Sequence, residues 1–173
     1  MTDTVQAENR AIQARIEQEK TNIFARLPPV QTAVRQQGVK FLERCGGLST
    51  VEWRTLWELH EVGPMTIRQL ALIQRADHSL LSRALPQMRE KGLVSMARDA
   101  EDGRQTIVAL APEGRAAYDR AAPVMARRRA ALREVFSEDE IRNFVGFLDR
   151  LEAFVRIPVE DLLEKADAEE PTA

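Results

Sequence analysis

Polar and basic side chains recur at helical spacing within residues 77–91, which read DHSLLSRALPQMREK. Ser79, Ser82 and Arg83 would share one helical face, because residues three and four apart are neighbours on a helix surface. Apolar residues fall on the opposite face; they are Leu81, Ala84, Leu85 and Met88. Hydroxyl and guanidinium groups bind base edges and phosphates, so the polar face is suited to contact with nucleic acid. The alternative is the solvated face of an ordinary helix.

Pro86 argues against this helix, since a proline in a helix interior removes a hydrogen bond and costs about 3 kcal/mol. Pro86 falls on the outward, polar face of the helix, so its ring would not disturb the packing of the apolar face. We expect the helix to bend at Pro86, with the later half curving over the core. The helix should begin after the cap residue Asp77, end at Gly92, and use its first two turns for recognition.

The sequence lacks the common catalytic and cofactor-binding motifs. It contains no GxGxxG, no P-loop, no HExxH and no nucleophile elbow. Its two histidines lie far apart and its single cysteine is Cys45, so no set of metal ligands is visible. We therefore predict a protein that is not an enzyme and that has no cofactor and no metal.

The net charge of −2 conceals two regions of opposite sign. Residues 158–173 carry one lysine and six acidic residues, whereas residues 1–157 carry 24 basic and 21 acidic ones. The slightly basic body permits a nucleic-acid partner. With a single cysteine, no signal sequence and no apolar run of about 20 residues, the chain is expected to be cytoplasmic and to make no membrane contact.

Two helices are predicted in the N-terminal region. The first covers about residues 5–26 and has a narrow apolar stripe; the second runs from about Val30 to Arg44, after an interruption at Pro28 and Pro29. A thin apolar stripe on a charged helix needs a partner, and another chain is a natural one. We assign residues 1–27 to an N-terminal helical extension and residues 28–47 to a dimerisation helix.

Three capping boxes mark further helix starts: Ser49 with Glu52, Thr66 with Gln69, and Ser137 with Glu140. The first helix should end near Glu61 and the second near Gln74. Only a tight turn then precedes the helix of residues 77–91, and this is helix-turn-helix geometry. Residues 93–98 and 105–110 predict two strands around an Asp-Gly turn. Residues 48–111 thus predict a winged helix-turn-helix domain.

The C-terminal region predicts further helices. Pro112 begins a long one that runs to about Phe136, with a kink at Pro123, and the helix after Ser137 has a wide apolar face. We assign residues 112–157 to dimerisation helices and residues 158–173 to an acidic, frayed tail. The predicted fold class is mostly α with a small β-wing, a winged helix-turn-helix with N- and C-terminal dimerisation helices.

Several of these motifs together resemble the MarR (multiple-antibiotic-resistance regulator) family over about residues 30–155. They are Trp53-Arg54-x-Leu56, the two-helix unit, Gly92-Leu93-Val94, and DAEDGRQTIVALAPEG over Asp99–Gly114. The resemblance implies a homodimeric winged-helix protein that binds double-stranded DNA. It further implies a repressor that a small-molecule or redox signal releases from a palindromic operator. Residues 1–25 extend beyond the part that the resemblance covers.

The candidate DNA-binding residues lie on three elements. Arg83 would read guanine or hold a phosphate, and both roles stay open. In the wing, Arg104 matches the arginine that the family places in the minor groove, and Asp102 would orient it through an ion pair. The alternative is that Asp102 and Arg104 form a pair that only stabilises the turn. The full set is Thr66, Arg68, His78, Ser79, Ser82, Arg83, Gln87, Arg98, Asp102 and Arg104.

A candidate effector site is implied on the helix that Ser49 caps. Trp53, Trp57 and His60 lie at i, i+4 and i+7, and aromatic walls with one polar group suit an aromatic or phenolic ligand. Arg35, on the preceding helix, is a conceivable partner for a carboxylate. The alternative is that the tryptophans are core residues and that His60 is an ordinary histidine.

Two other functions stay open at this point. Cys45 could make the protein a redox sensor, although a helix C-terminus disfavours a thiolate. A winged helix can also serve as a protein-interaction module, for which exposed aromatic residues on the helix of residues 77–91 would be typical.

Overall fold

The structure is a computed structural model that describes residues 2–100 and 102–169. It contains eight α-helices and three short strands within those residues. In chain order they are α1 (Thr2–Glu19), α2 (Ile23–Glu43), α3 (Thr50–Glu61), β1 (Met65–Thr66), α4 (Ile67–Gln74), α5 (His78–Glu90), β2 (Val94–Arg98), β3 (Thr106–Leu110), α6 (Pro112–Val135), α7 (Glu138–Val155) and α8 (Val159–Glu169). The predicted fold class, mostly α with a small β-wing, is confirmed.

The helix boundaries from α3 to α7 follow the local signals in the sequence. All three capping boxes form: each Ser or Thr hydroxyl accepts the backbone N–H three residues on, and the Glu or Gln side chain accepts the N–H of the cap residue. These contacts satisfy N–H groups that a helix start leaves without partners. Pro86 lies inside α5 and Pro123 inside α6, so neither proline ends its helix.

The sheet has three antiparallel strands in the order β1–β3–β2. The hairpin of β2 and β3 was predicted, and it pairs Val94 with Leu110 and Arg98 with Thr106. Strand β1 was not predicted. Its two residues pair with β3, Met65 opposite Val108. Two residues are too few to show an alternating pattern, so no periodic signal in the sequence marks this strand.

The core of the winged helix lies between α3, α4, α5 and the sheet. The apolar face predicted for α5 is confirmed, since Leu81, Leu85 and Met88 are all fully buried. Leu56 and Leu59 of α3 bury against the same cluster. A second cluster joins α2, α3 and α6; it consists of Leu42, Cys45, Trp53, Ala121 and Met125. Helix α3 contributes to both clusters.

The predicted break at Pro28 and Pro29 is wrong, because both prolines lie inside α2. The break occurs earlier, at residues 20–22, where the Asn22 side chain accepts a hydrogen bond from the Ala25 N–H and caps α2. The proline rings are exposed. The prolines therefore weaken the backbone hydrogen bonding of α2 without disturbing a buried side chain, and the cap at Asn22 fixes where the helix starts.

Residues 127–173 form a compact unit of their own, distinct from the unit of residues 1–126. No residue of α7 is buried within the described chain. The expectation of a frayed tail is wrong over Val159–Glu169, which is helical. Acidic residues in its first turn, Glu160 and Asp161, favour this helix by interacting with the N-terminal end of its dipole. The rest of the predicted tail, residues 170–173, lies outside the described residues.

Helix α6 begins in very close contact with the start of the hairpin. A Cβ atom built on Gly114 would lie 1.9 Å from the Leu93 carbonyl oxygen and 3.1 Å from Leu56 Cδ2. The same carbonyl accepts a hydrogen bond from the Ala111 N–H at 3.2 Å. Only glycine leaves room for this approach, and this explains the glycine in the LAPEG motif.

Replacing Gly114 with Ala should destabilise the fold by about 3 kcal/mol or more, because either α6 or the hairpin must move away. Urea denaturation of the two proteins would measure the loss. Gly103→Ala is the matched control, since a Cβ at Gly103 meets no atom within 4 Å. Equal free energies of unfolding for Gly114→Ala and wild type would contradict the close contact.

Candidate functional site

The first turn of α5 is held by its cap residue. Asp77 Oδ1 accepts the Ser79 N–H at 2.9 Å and Asp77 Oδ2 accepts the Ser79 hydroxyl at 2.7 Å. The hydroxyl and the N–H of Ser79 hold the pKa of the Asp77 carboxyl below its usual range. The predicted N-cap is therefore confirmed, and it also fixes the orientation of one candidate recognition residue.

The other candidates of α5 are linked along the same face. Ser82 Oγ lies 3.2 Å from His78 Nδ1, and Arg83 Nε donates to the Ser79 carbonyl at 3.2 Å. The structure thus brings His78, Ser79, Ser82 and Arg83 together on one surface, where all but the half-buried Ser82 are exposed. Gln87 is also exposed, one turn further on.

Leu80 is a further surface residue of α5, outside the candidate set. It is 41% exposed in the first turn, beside the polar residues. The spacing alone could have shown this, since Leu80 is three residues before the exposed Arg83 and shares its side of the helix.

The start of α4 offers one exposed basic group. Thr66 is buried, and its hydroxyl accepts the Gln69 N–H at 3.1 Å and contacts Gln69 Oε1 at 3.0 Å. Its hydroxyl is therefore engaged in capping α4. Arg68 is exposed in the first turn of the same helix. Of the two candidates here, Arg68 is the one with a side chain open to solvent.

The wing turn is organised around Asp102. Its carboxylate accepts the Arg104 backbone N–H at 3.0 Å and the Gln105 side-chain amide at 3.0 Å. These two donors lower the pKa of the Asp102 carboxyl, with the Gln105 amide the larger influence. The expected ion pair between Asp102 and the Arg104 guanidinium is not formed, because both carboxylate oxygens already bind groups of the turn. Arg98 and Arg104 are both exposed.

An aromatic cluster joins α3 to α6. Trp53 stacks on Tyr118 with ring centroids 5.7 Å apart and a 7° interplanar angle, and His60 stacks on the same ring at 3.9 Å. Trp57 lies 5.9 Å from Trp53 in a tilted arrangement. Arg115 contacts His60 Nδ1 through a guanidinium nitrogen. Tyr118 and Arg115 were missed because they lie more than 50 residues from His60 in the sequence.

Not all candidate effector residues are equally accessible in this cluster. Trp53 is only 3% exposed and belongs to the core, as the alternative interpretation held. Trp57 and His60 are half-buried. Arg35 is exposed on α2. The partly open residues of the cluster are therefore Trp57, His60 and Tyr118.

Residues 46–105 match the sequence model of the MarR family. These residues hold α3, α4, α5 and most of the wing. The match covers the winged helix-turn-helix part of the chain, 60 of its 173 residues. The resemblance found in the sequence is thereby confirmed over these residues.

Known transcriptional regulators resemble this chain over different shares of its length. An uncharacterised HTH-type transcriptional regulator of Bacillus subtilis, YdgJ, is 29% identical over 133 residues, 77% of this chain and 79% of the relative. The HTH-type transcriptional repressor IacR of Pseudomonas putida is 36% identical over 67 residues, 39% of this chain and 40% of the repressor. The M. tuberculosis transcriptional regulator MOSR, in its crystal structure in complex with DNA, is 26% identical in sequence to this chain. The alignment of the two structures covers 75% of this chain and 96% of the MOSR chain, with a TM-score of 0.62.

Cys45 is a core residue of the second buried cluster. Its thiol is 8% exposed and donates to the Phe41 and Leu42 carbonyls, each at 3.3 Å. Burial raises the pKa of the Cys45 thiol, and the Arg120 guanidinium opposes this only in part. A thiol that resists ionisation is a poor nucleophile, so these surroundings do not favour redox sensing through Cys45. Within the described residues, no group of His, Cys, Asp and Glu could hold a metal ion.

Glu52 connects α3 to the end of α5. Its Oε2 accepts the Ser49 N–H at 2.7 Å, and its Oε1 pairs with Lys91 Nζ at 2.7 Å. Burial raises the pKa of the Glu52 carboxyl, but the hydrogen bonds from Lys91 and Ser49 outweigh it, so the pKa lies below its ordinary value. The ionised form is thus stabilised by folding.

Replacing Glu52 with Gln should destabilise the protein near pH 7 and have less effect in acid. Folding lowers the pKa of this carboxyl, so its charge stabilises the folded state at pH values above the unfolded pKa, about 4.3. That stabilisation is lost as the pH falls through the pKa of the carboxyl in the folded state. Urea denaturation of both proteins at several pH values would measure this. Glu58→Gln, on the same helix, is the control. A difference between wild type and Glu52→Gln that does not shrink as the pH falls would show that the charge is unimportant.

Proposed function

We propose that this chain is a MarR-family transcriptional regulator, a homodimeric repressor that binds an inverted-repeat operator in double-stranded DNA. A small aromatic or phenolic ligand would release it. The observation that carries this proposal is the outward surface of α5, where His78, Ser79, Ser82 and Arg83 are held in one array. A DNA partner would place the regulator in the cytoplasm.

Sequence-specific DNA contact is supported by the residue types on α5. The first turns of a recognition helix meet base edges in the major groove, and hydroxyl, imidazole and guanidinium groups are suited to them. The wing adds the exposed Arg98 and Arg104, and α4 adds Arg68. Basic groups on flanking elements suit phosphate and minor-groove contacts. The related regulator MOSR has been crystallised with DNA, which supports the same partner here.

A dimer is supported by apolar residues that the single chain leaves uncovered. On α7 the exposed large residues are Phe144, Val145, Phe147, Leu148, Phe154 and Val155. On α1 and α2 they are Ile12, Ile16, Ile23, Phe24, Val30, Val34 and Val39. Surfaces of this extent are typical of interfaces between chains. We propose that a second copy covers them, and that its two-fold symmetry matches an inverted repeat with half-sites about 34–36 Å apart.

A small planar effector is supported by the aromatic cluster. Trp57, His60 and Tyr118 are partly open, and Arg115 supplies a positive charge beside the His60 ring. Aromatic faces and one cation suit an aromatic acid or a phenol. Repression as the direction of control is supported by the similarity to IacR, which is a repressor.

The operator hypothesis predicts different roles for two arginines. Arg83→Ala should lower affinity for the preferred duplex about tenfold or more and leave affinity for a scrambled duplex nearly unchanged. Arg104→Ala should weaken both, because a minor-groove contact is less selective for sequence. Gel-shift titration would measure this with a duplex that the wild type selects from its own upstream DNA. The retarded complex should contain two chains per duplex.

Arg44→Ala is the control, because Arg44 is exposed at the end of α2 and does not belong to α4, α5 or the wing, which carry the proposed DNA contacts. The operator hypothesis fails if the wild-type dimer shows no salt-sensitive, sequence-specific retardation. If Arg104→Ala alters sequence preference and Arg83→Ala does not, the two roles are exchanged.

The effector hypothesis predicts that aromatic acids, phenols or their thioesters raise the melting temperature of the protein, since a ligand that binds only the folded state stabilises it. Trp57→Ala should abolish the shift given by the best compound, whereas Glu58→Gln on the same helix should preserve it. Differential scanning fluorimetry measures both. An unchanged shift in Trp57→Ala would exclude the aromatic cluster as the site.

A further inference from the structure

Helix α3 holds the chain just before α5 through two adjacent residues. Arg54 Nη2 donates to the Gln74 carbonyl at 2.7 Å, and the Gln74 side-chain amide donates to Thr55 Oγ1 at 3.3 Å. Gln74 is the last residue of α4 and is 4% exposed. A guanidinium at a helix C-terminus is favourable, because the last carbonyls lack helical partners and carry partial negative charge. Both the backbone and the side chain of Gln74 are therefore held by α3.

The turn that follows Gln74 adopts a costly backbone conformation. Arg75 has φ 48° and ψ 40°, and it is the one non-glycine residue with positive φ in the described chain. This left-handed conformation costs an L-residue about 1–2 kcal/mol. Such a residue persists when its surroundings determine it. Since Arg75 sets the direction in which the chain leaves α4, the contacts on Gln74 support the geometry that leads into α5.

Helix α3 also holds the other end of α5. Lys91 is the C-cap residue of α5, and its ammonium pairs with the buried Glu52 carboxylate. The remaining oxygen of Glu52 caps α3 itself through the Ser49 N–H. The carboxylate is thus fixed by its own helix and offers a defined position for Lys91. Glu52, Arg54 and Thr55 lie within the first six residues of α3.

We propose that Arg54 and Glu52 are positioning residues for DNA recognition, which hold the two ends of α5 from α3 without contacting DNA. This rests on the proposed operator binding. A helix held at both ends presents its face to the groove in one orientation. Loss of a contact should therefore reduce sequence discrimination more than general attraction to DNA, since discrimination depends on the alignment of side chains with base edges.

The first test measures the free protein and needs no DNA. Amide hydrogen exchange of residues 75–80 should be about tenfold faster in Arg54→Met, because a charged hydrogen bond is lost. Arg54→Lys should restore much of the protection, since an ammonium can still donate to the Gln74 carbonyl. Arg44→Met is the matched control and should behave like wild type. Lys91→Met removes an exposed side chain and should speed amide exchange at the end of α5. If Arg54→Met does not fold, Lys91→Met still tests the contact between Lys91 and Glu52.

The second test measures the DNA affinities of the wild type and Arg54→Met by fluorescence anisotropy. It uses two duplexes, one that the wild type selects from a random pool and one with the same bases in scrambled order. Arg54→Met should bind the selected duplex about tenfold more weakly and the scrambled one equally well, with an unchanged salt dependence. Equal losses on both duplexes with a shallower salt dependence would overturn the proposal, because they indicate a direct phosphate contact. Unchanged exchange in both Arg54→Met and Lys91→Met would also overturn it. If the wild type selects no sequence, the operator hypothesis fails, and the exchange measurement still decides whether α3 positions α5.

Discussion

The close contact between Gly114 and the Leu93 carbonyl is the constraint on which much of the winged-helix unit depends. It fixes the point where α6 meets the start of the hairpin. Because a helix is rigid over a few turns, this contact also places the next residues on the same side, Ala117, Tyr118 and Ala121. Ala117 then packs in the core of the winged helix and Ala121 in the second cluster. The stack of Tyr118 on Trp53 and His60 follows from the same placement.

Helix α3 has a different role on each side. Its apolar residues Leu56 and Leu59 belong to the core that supports α5, whereas Trp53 belongs to the cluster shared with α2 and α6. Its polar residues contact the chain just before α5 at Gln74 and the C-cap residue of α5, Lys91. A shift of α3 would therefore disturb the aromatic cluster and the recognition surface together. Under the proposed function, this is a physical route by which an effector could influence DNA binding.

Local sequence signals predicted most of the fold because they reflect local interactions. Capping boxes at Ser49, Thr66 and Ser137 gave the helix starts, and each involves residues only three apart. The prediction failed at Pro28 and Pro29, where the rule that proline ends a helix was applied too strongly and the Asn22 cap was overlooked. The helix at Val159–Glu169 was missed for a similar reason, since acidic composition was taken for disorder.

The site was predicted less completely, because its contacts join distant parts of the chain. His60 was found from the spacing along α3, but its partners Tyr118 and Arg115 lie on α6 and share no motif with it. The wing shows the opposite case. Asp102 and Arg104 were paired by charge, yet the carboxylate instead binds the backbone N–H of Arg104. Short turns leave backbone donors that compete with side-chain charges, and a sequence does not display them.

Under the proposed function, the hydrogen bonds among the exposed residues of α5 have a thermodynamic consequence for DNA binding. Asp77 already binds Ser79, and Arg83 already donates to the Ser79 carbonyl. Ser79 and Arg83 would exchange some of these hydrogen bonds for hydrogen bonds to bases, so the net enthalpy gained from each base contact would be small. The same side chains would lose little conformational entropy on binding, since their hydrogen bonds already restrict them in the free protein. The favourable free energy of association would then come largely from the release of counterions and ordered water around the duplex.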